Sequence, residues 1–402
     1  MRKALFLIVS LACSERAAAV EVKPVIDAQI MGGQNYYNGA ESSFGGVMSL
    51  TASPYTKFND RWSLVPIYAG SYRGTQQVAD LVGGGTLFQD SQGHIFSSKL
   101  IRSFFNGLKL KVWGGYGIDL LRETQNENWG RGLYDSRRVF GGAEGEWSWA
   151  SDRTARLAYD HYRIGFPNYA SLESSQINAG LGRELSEPDV LNNTNHALTL
   201  GARTGLPWNG YADLSASYTL RQYPDQHRVI ASGDLEGETR HDNLQSLSTQ
   251  GTWPVFVKSH KRLFTSAGYT WSRLDSDQNN YDTAQVTLNP NFYSYMTHSL
   301  NHRWTLLMGP DASPWALNLN GSLSRQTYAD RRTQDAAGAY GAGATRVDSA
   351  YIGLGGSYPI AKGFNLAANA YFGWNDSNNQ DNRVYRYHYN TQTYLMGFTY
   401  AY

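Results

Sequence analysis

From residue 212 to 221 the chain reads Ala-Asp-Leu-Ser-Ala-Ser-Tyr-Thr-Leu-Arg, apolar at every even position and polar at every odd one. Side chains of an extended strand alternate between its two faces, so such a run is a strand with one apolar and one polar side. The pattern returns with odd apolar positions in the segment that begins at Trp315 and ends at Leu323, and again from Asn365 to Trp374. These runs exceed the five or six residues usual in soluble sheets. They match the nine to eleven residues that a tilted strand needs to cross a bilayer.

Short turn signals punctuate the runs at a steady interval. They are Phe58-Asn59-Asp60, Phe105-Asn106-Gly107, Ala150-Ser151-Asp152, Pro207-Trp208-Asn209-Gly210, Ser259-His260-Lys261, Pro310-Asp311-Ala312 and Ala361-Lys362-Gly363. Measured at 59, 106, 151, 209, 260, 311 and 362, the gaps are 47, 45, 58, 51, 51 and 51 residues. Each interval holds two long strands and one longer polar segment, such as 275–282 or 375–382. A propeller blade of similar length would need four short strands instead. Seven tight turns join fourteen strands, and a strand at each end, near 25–35 and at 389–402, brings the expected number to sixteen. One misread loop would make it fourteen or eighteen. Short turns at one rim and long polar loops at the other describe an all-β, up-and-down antiparallel transmembrane barrel. Closure is dictated by the solvent: in hydrocarbon every backbone N–H and C=O must be paired within the protein.

Composition agrees. Of 402 residues only 17% are charged, 41 are Gly and 13% are aromatic, with 35 Lys and Arg against 34 Asp and Glu. A soluble chain has about 25% charged residues and roughly 7% Gly. A mean hydropathy of −0.48 excludes a bundle of membrane helices, and the aromatic content excludes disorder. No basic excess points to nucleic acid.

Residues 1–19 carry Arg2 and Lys3, an apolar stretch from Ala4 to Ala12, and Ala17-Ala18-Ala19 as a cleavage site. That is a secretory signal peptide, which leaves a single barrel domain at 20–402. Its removal takes away Cys13, the one cysteine, and with it any internal disulfide. Leu11-Ala12-Cys13 loosely resembles a lipobox, with Ser10 where that motif wants leucine, so lipidation of Cys13 is the alternative. Only Val20 to Pro24 precedes the first strand, too little for a plug or repeat domain.

The last twelve residues, Thr391 to Tyr402, place Tyr394, Met396, Phe398, Tyr400 and Tyr402 on one face. A terminal aromatic with apolar residues at every second position resembles the C-terminal β-signal of bacterial outer-membrane proteins. With the signal peptide and the hairpin repeat, the chain resembles porin-like and export-pore barrels of that class. The resemblance implies an outer-membrane location, assembly by the barrel-assembly machinery, and a last strand zipped to the first. Aromatics near strand ends, among them Trp62, Trp147, Trp149, Trp271, Trp315 and Trp374, fit girdles at the two interfaces.

If the apolar alternates face lipid, the other set faces the lumen. The lumen candidates are Lys109, Lys111, Asp119, Arg138, Glu144, Glu146, Arg156, Asp160, Arg203, Asp213, Arg221 and Arg325. Both signs occur and no single-sign ladder selects one ion. A broad hydrophilic passage or a lumen tied by salt bridges follows, unless these charges only stabilise the wall. The connection 165–193 is long enough to be functional; it either folds inward as a constriction or stands outside as a binding surface.

Signs of catalysis are weak. Asp160 and His161 are adjacent on a strand and point to opposite faces. His298 and His302 share a face without the glutamate of a zinc-protease motif. The runs Gly83-Gly84-Gly85 and Gly353 to Gly356 lack the strand–turn–helix setting of a phosphate cradle. The reading is therefore passage, through a porin-like channel or the pore of a polysaccharide or protein export system, with no catalytic residue, metal or cofactor. A non-conducting scaffold barrel of an envelope complex is the alternative, and an outer-membrane hydrolase a weaker one. Expected partners are outer-membrane lipids, the barrel-assembly machinery and periplasmic or lipoprotein partners, with no nucleic acid.

Overall fold

A computed structural model describes residues 20–38, 41–79, 86–122, 127–169, 183–185, 187–283, 285–311, 313–381 and 388–402. The leader 1–19, with Cys13, and Gly83 to Gly85 lie outside them. Sixteen long strands form one antiparallel sheet: β1 (Ile26–Tyr37), β2 (Glu41–Ala52), β3 (Trp62–Ala79), β4 (Thr86–Ser103), β5 (Leu108–Arg122), β6 (Ser136–Ala150), β7 (Arg153–Gly165), β8 (Asn193–Leu206), β9 (Gly210–Val229), β10 (Leu235–Lys258), β11 (Lys261–Ser276), β12 (Tyr295–Met308), β13 (Trp315–Gln334), β14 (Tyr340–Ala361), β15 (Phe364–Ser377) and β16 (Tyr389–Ala401). Each pairs with its chain neighbour, and β1 pairs with β16 from Asp27↔Ala401 to Tyr37↔Thr391. Among the sixteen long strands none is left with an unpaired edge.

All seven tight turns fall on one rim, together with both ends of the barrel. Two of them show why their residues were needed. Asn106 and Gly107 have φ of 61° and 76°, and Trp208 and Asn209 both have 58°. Paired left-handed residues give the turn twist that matches right-twisted strands. On the same rim, short strands at Glu21–Lys23 and Tyr55–Lys57 add to the sheet. The other rim carries the long connections. There β9, β10, β13 and β14 reach 20, 24, 20 and 22 residues, well beyond the bilayer requirement. They raise a wall above the membrane.

The fold's apolar residues are mostly on its outside. Leu110, Val112, Val139, Leu157, Leu198, Leu200, Leu247, Leu300, Leu319, Leu354 and Met396 are exposed and share the outward parity of their strands. A soluble sheet would bury such a face; here it is the belt that meets lipid. Aromatics bound it at the short-turn rim, where Trp147 and Trp149 lie 5.2 Å apart and Phe364 and Tyr400 4.5 Å apart. Arg102 keeps its guanidinium 4.9 Å from the Trp62 ring and 4.7 Å from Phe104, as a snorkelling cation does at an interface. A closed sheet with an outward apolar belt is the architecture of bacterial outer-membrane proteins. Tyr394, Met396, Phe398 and Tyr402 stand exposed in this belt and its margin, and Tyr400 half-buried beside them, on the strand that closes the barrel.

Candidate functional site: the lumen wall and its mouth

The lumen is charged along β4 to β9. Lys109 and Lys111 alternate on β5 opposite Glu146 and Glu144 of β6. Lys111 Nζ donates to Glu144 Oε1 at 2.6 Å and Glu146 Oε2 at 2.5 Å, and Lys109 Nζ to Glu146 Oε1 at 3.3 Å. Next round the wall, Arg156 of β7 sits opposite Glu146 in register and lies against Gly201 of β8, where a Cβ would fall 2.3 Å from its Nε. Arg203 forks onto Asp213 with bonds of 2.8 and 3.1 Å. Together Lys109, Glu146, Arg156, Arg203 and Asp213 bound a polar recess of about 350 Å³.

Higher in the lumen, Asp160 accepts from Trp113 Nε1 at 3.0 Å, and the Lys99 ammonium lies 5.4 Å over the same indole. Arg138 covers Phe140 at 5.2 Å. Asp119 shares the lumen face beside Gly93, and Arg221 donates to Asn195 Oδ1 at 2.9 Å and to the Tyr223 hydroxyl at 3.4 Å. From β9 to β13 the wall at mid-height is mostly neutral, with Arg303 the exception among the described residues. Hydroxyls and amides pair across its strands: Ser215 with Ser248, Ser217 with Ser246, Ser299 with Ser324, and Thr305 with Asn318.

Arg325 departs from the expectation. It follows Leu317, Leu319 and Leu323 on the outward parity of β13, with its side chain 59% exposed, and bonds Asp348 at 2.6 and 3.3 Å. Polarity suggested a wet lumen. However, β13 outruns the bilayer, and an outward arginine above the belt is solvated there. Asp160 and His161 do face opposite sides, the His161 ring lying outward, 4.6 Å from that of His196 and tilted to it.

Pairing leaves an imbalance. Glu144, Glu146 and Asp213 are held by lysine or arginine. Among the described residues no carboxylate lies within ion-pair distance of the lumen-face cations Arg73, Lys99, Arg138, Arg156 and Arg303. Against them stand Asp27, Asp119 and Asp160, likewise without an ion-pair partner. Of these, Arg73, Lys99, Arg303 and Asp27 had not been singled out from the sequence. Period-two parity, traced along β1, β3, β4 and β12, was the signal that could have found them.

At the long-loop rim lies a buried polar network. Glu184, in the connection between β7 and β8, is 1% exposed. Its Oε1 accepts from Tyr293 Oη at 2.6 Å and Asn280 Nδ2 at 3.1 Å, both from the β11–β12 connection. Burial pushes this carboxyl above the ordinary glutamate range, opposed by those donors. Its backbone carbonyl accepts from Gln226 at 3.3 Å, and Gln226 accepts from Arg240 at 3.1 Å. Arg240 forks onto Asp242 with two bonds of 2.8 Å and lies between the rings of Tyr223 and Tyr293 at 4.4 and 4.3 Å. Arg240 and Asp242 occupy lumen-face positions of β10, two residues apart. The described end of the 165–193 connection therefore folds inward; residues 170–182 and 186 lie outside the described part. Opposite charges at alternate positions, as in Arg240-His241-Asp242, were the sequence signal for this network; Glu184 gave none.

No protein-family description and no curated protein matches this chain. Among solved structures it is similar to OccAB1 of Acinetobacter baumannii, at 11% identity and a TM-score of 0.48, over 94% of this chain and 96% of that one. The outer membrane protein OpdK of Pseudomonas aeruginosa gives 10% and 0.47, over 94% and 99%. A structure titled bacterial polysaccharide outer membrane secretin gives 9% and 0.44, over 94% and 98%. The membrane-spanning architecture is established by the chain's own closed and outwardly apolar sheet.

Proposed function

We propose that the barrel is a hydrophilic passage across the outer membrane that favours small anionic solutes. The observation that carries this reading is the set of unpaired lumen cations, with Lys99, Arg138 and Arg156 on the charged wall and Arg73 and Arg303 elsewhere. Glu144, Glu146 and Asp213 are engaged by Lys109, Lys111 and Arg203, which leaves Asp27, Asp119 and Asp160 against five cations. In a polar bore an unpaired guanidinium offers an anion two donors in one plane, while the paired groups stay electrically quiet. The docked connections at the mouth would limit the solute to a small one. On the last strand, the row from Tyr394 to Tyr402 is proposed as the segment read by the assembly machinery.

Purified protein in planar bilayers tests the channel. Ohmic conductance is expected, with a reversal potential in a salt gradient that favours the anion. Replacing Lys99 and Arg156 by Gln should move that potential toward the cation. A folded barrel that stays silent, or one whose selectivity ignores both substitutions, overturns the reading.

A further inference from the structure

The outward face of β6 to β8 carries a second group of cations, set at the loop-side edge of the belt. In register, Val139 stands opposite Arg163 and Arg137 opposite Gly165. Arg163 in turn faces Thr194, His161 faces His196, and Tyr159 faces Leu198. Leu157, Tyr159, Leu198, Leu200 and Val139 are exposed on this same face. Arg163 lies ten residues above Arg153 on the short-turn rim, which at the usual rise and tilt is about 25 Å, the height of the apolar band. Its guanidinium thus sits where acyl chains give way to headgroups.

The patch is built. The His161 and His196 rings are 4.6 Å apart, and the Tyr159 hydroxyl holds His196 Nδ1 at 2.7 Å. Gly141, opposite His161, and Gly165, opposite Arg137, put no side chain on this face, leaving room beside the two arginines. Both arginines are exposed, and among the described residues neither has a carboxylate partner. Other outward arginines toward the same rim do have one. Arg122 faces Asp90 at 3.9 Å, Arg273 bonds Asp275 at 2.9 Å, and Arg325 and Arg346 share Asp348 at 2.6 and 3.1 Å.

We infer that Arg137, Arg163, His161 and His196 bind the phosphate of a phosphorylated lipid of the outer leaflet. A phosphate monoester matches two unneutralised guanidinium forks flanked by imidazoles. Its acyl chains would lie on Leu157, Leu198, Leu200 and Val139 directly below. A soluble phosphate would use the forks alone and gain nothing from the apolar floor, so the lipid is the occupant.

The test uses the full barrel in detergent and measures retention of bis-phosphorylated lipid A by native mass spectrometry. Comparison ligands are the same lipid stripped of phosphate, and inorganic phosphate. Wild type should retain the phosphorylated lipid, and R137Q/R163Q should weaken it by about tenfold or more. R325Q/R346Q should leave it unchanged, and R137K/R163K, which keeps the charge but loses the forks, should fall between wild type and R137Q/R163Q. Heat-modifiable electrophoretic mobility reports whether each variant is folded. Should R137Q/R163Q misfold, R137K/R163K and the dephosphorylated lipid still decide the matter. Equal retention of the stripped lipid, or undiminished binding by folded R137Q/R163Q, overturns the site. Inorganic phosphate binding as tightly as the lipid overturns the lipid assignment.

Discussion

Tyr293 donates its hydroxyl to Glu184 at 2.6 Å across 109 positions of sequence, joining two connections that leave the barrel on different strands. Because Glu184 is buried and its pKa raised, the docked state holds a proton that an undocked, solvated glutamate would release at lower pH. Docking is therefore fully supported below the ordinary glutamate range. It weakens as pH rises from that range through the raised value. Amide exchange at residues 187–192 should accelerate over that interval. Glu184→Gln should abolish the dependence, since its amide mimics the neutral acid. Tyr293→Phe should cost about 1–3 kcal/mol of local opening, because it strips a donor from a buried carboxyl. An unchanged pH profile in Glu184→Gln would refute the latch.

Lys111 serves two carboxylates at once, with all three side chains only 13–18% exposed. Lys111→Met should destabilise the barrel by about 1–3 kcal/mol, below the cost of breaking a fully buried pair because water still reaches the site. Adding Glu144→Gln and Glu146→Gln should recover most of it. Urea unfolding from lipid vesicles measures both, and a triple variant no better than the single one refutes the account.

Gly397 and Gly33 sit at the closing seam. A Cβ at Gly397 would stand 1.9 Å from the Ile30 carbonyl oxygen, and one at Gly33 1.8 Å from that of Tyr394. Those obstacles are backbone and cannot rotate away. Gly397→Ala should reduce the yield of closed barrel far more than Gly145→Ala, whose Cβ meets nothing within 4 Å. Electrophoretic mobility of unheated samples distinguishes them.

Leu200 faces lipid and Thr199, its neighbour, the lumen. An arginine at 200 should cost about 2–4 kcal/mol near mid-membrane, while one at 199 should leave stability nearly unchanged and alter conductance. The reverse order would invert the assignment of faces.

Much of this was legible because strand parity is a local property. Alternation and the seven turns gave sixteen strands and both rims without any distant contact. Arg325 misled because the chain's charge pattern does not mark where the bilayer ends. The strand continues past it, and beyond the belt an outward charge costs little. Arg240 and Asp242 were hidden for another reason: their partners Gln226 and Tyr223 approach them only after β9 bulges out of register.

By itself, then, the sequence determined a closed sheet with an apolar outside. Period two over long runs leaves no other way to satisfy a backbone in lipid. Tertiary structure decided which charges cancel and which remain, since Lys111 meets Glu144 and Glu146, and Glu184 meets Tyr293, only through register and loop docking. Pairing depends on distances of a few ångströms between side chains on different strands, and such distances exist only once the sheet has closed.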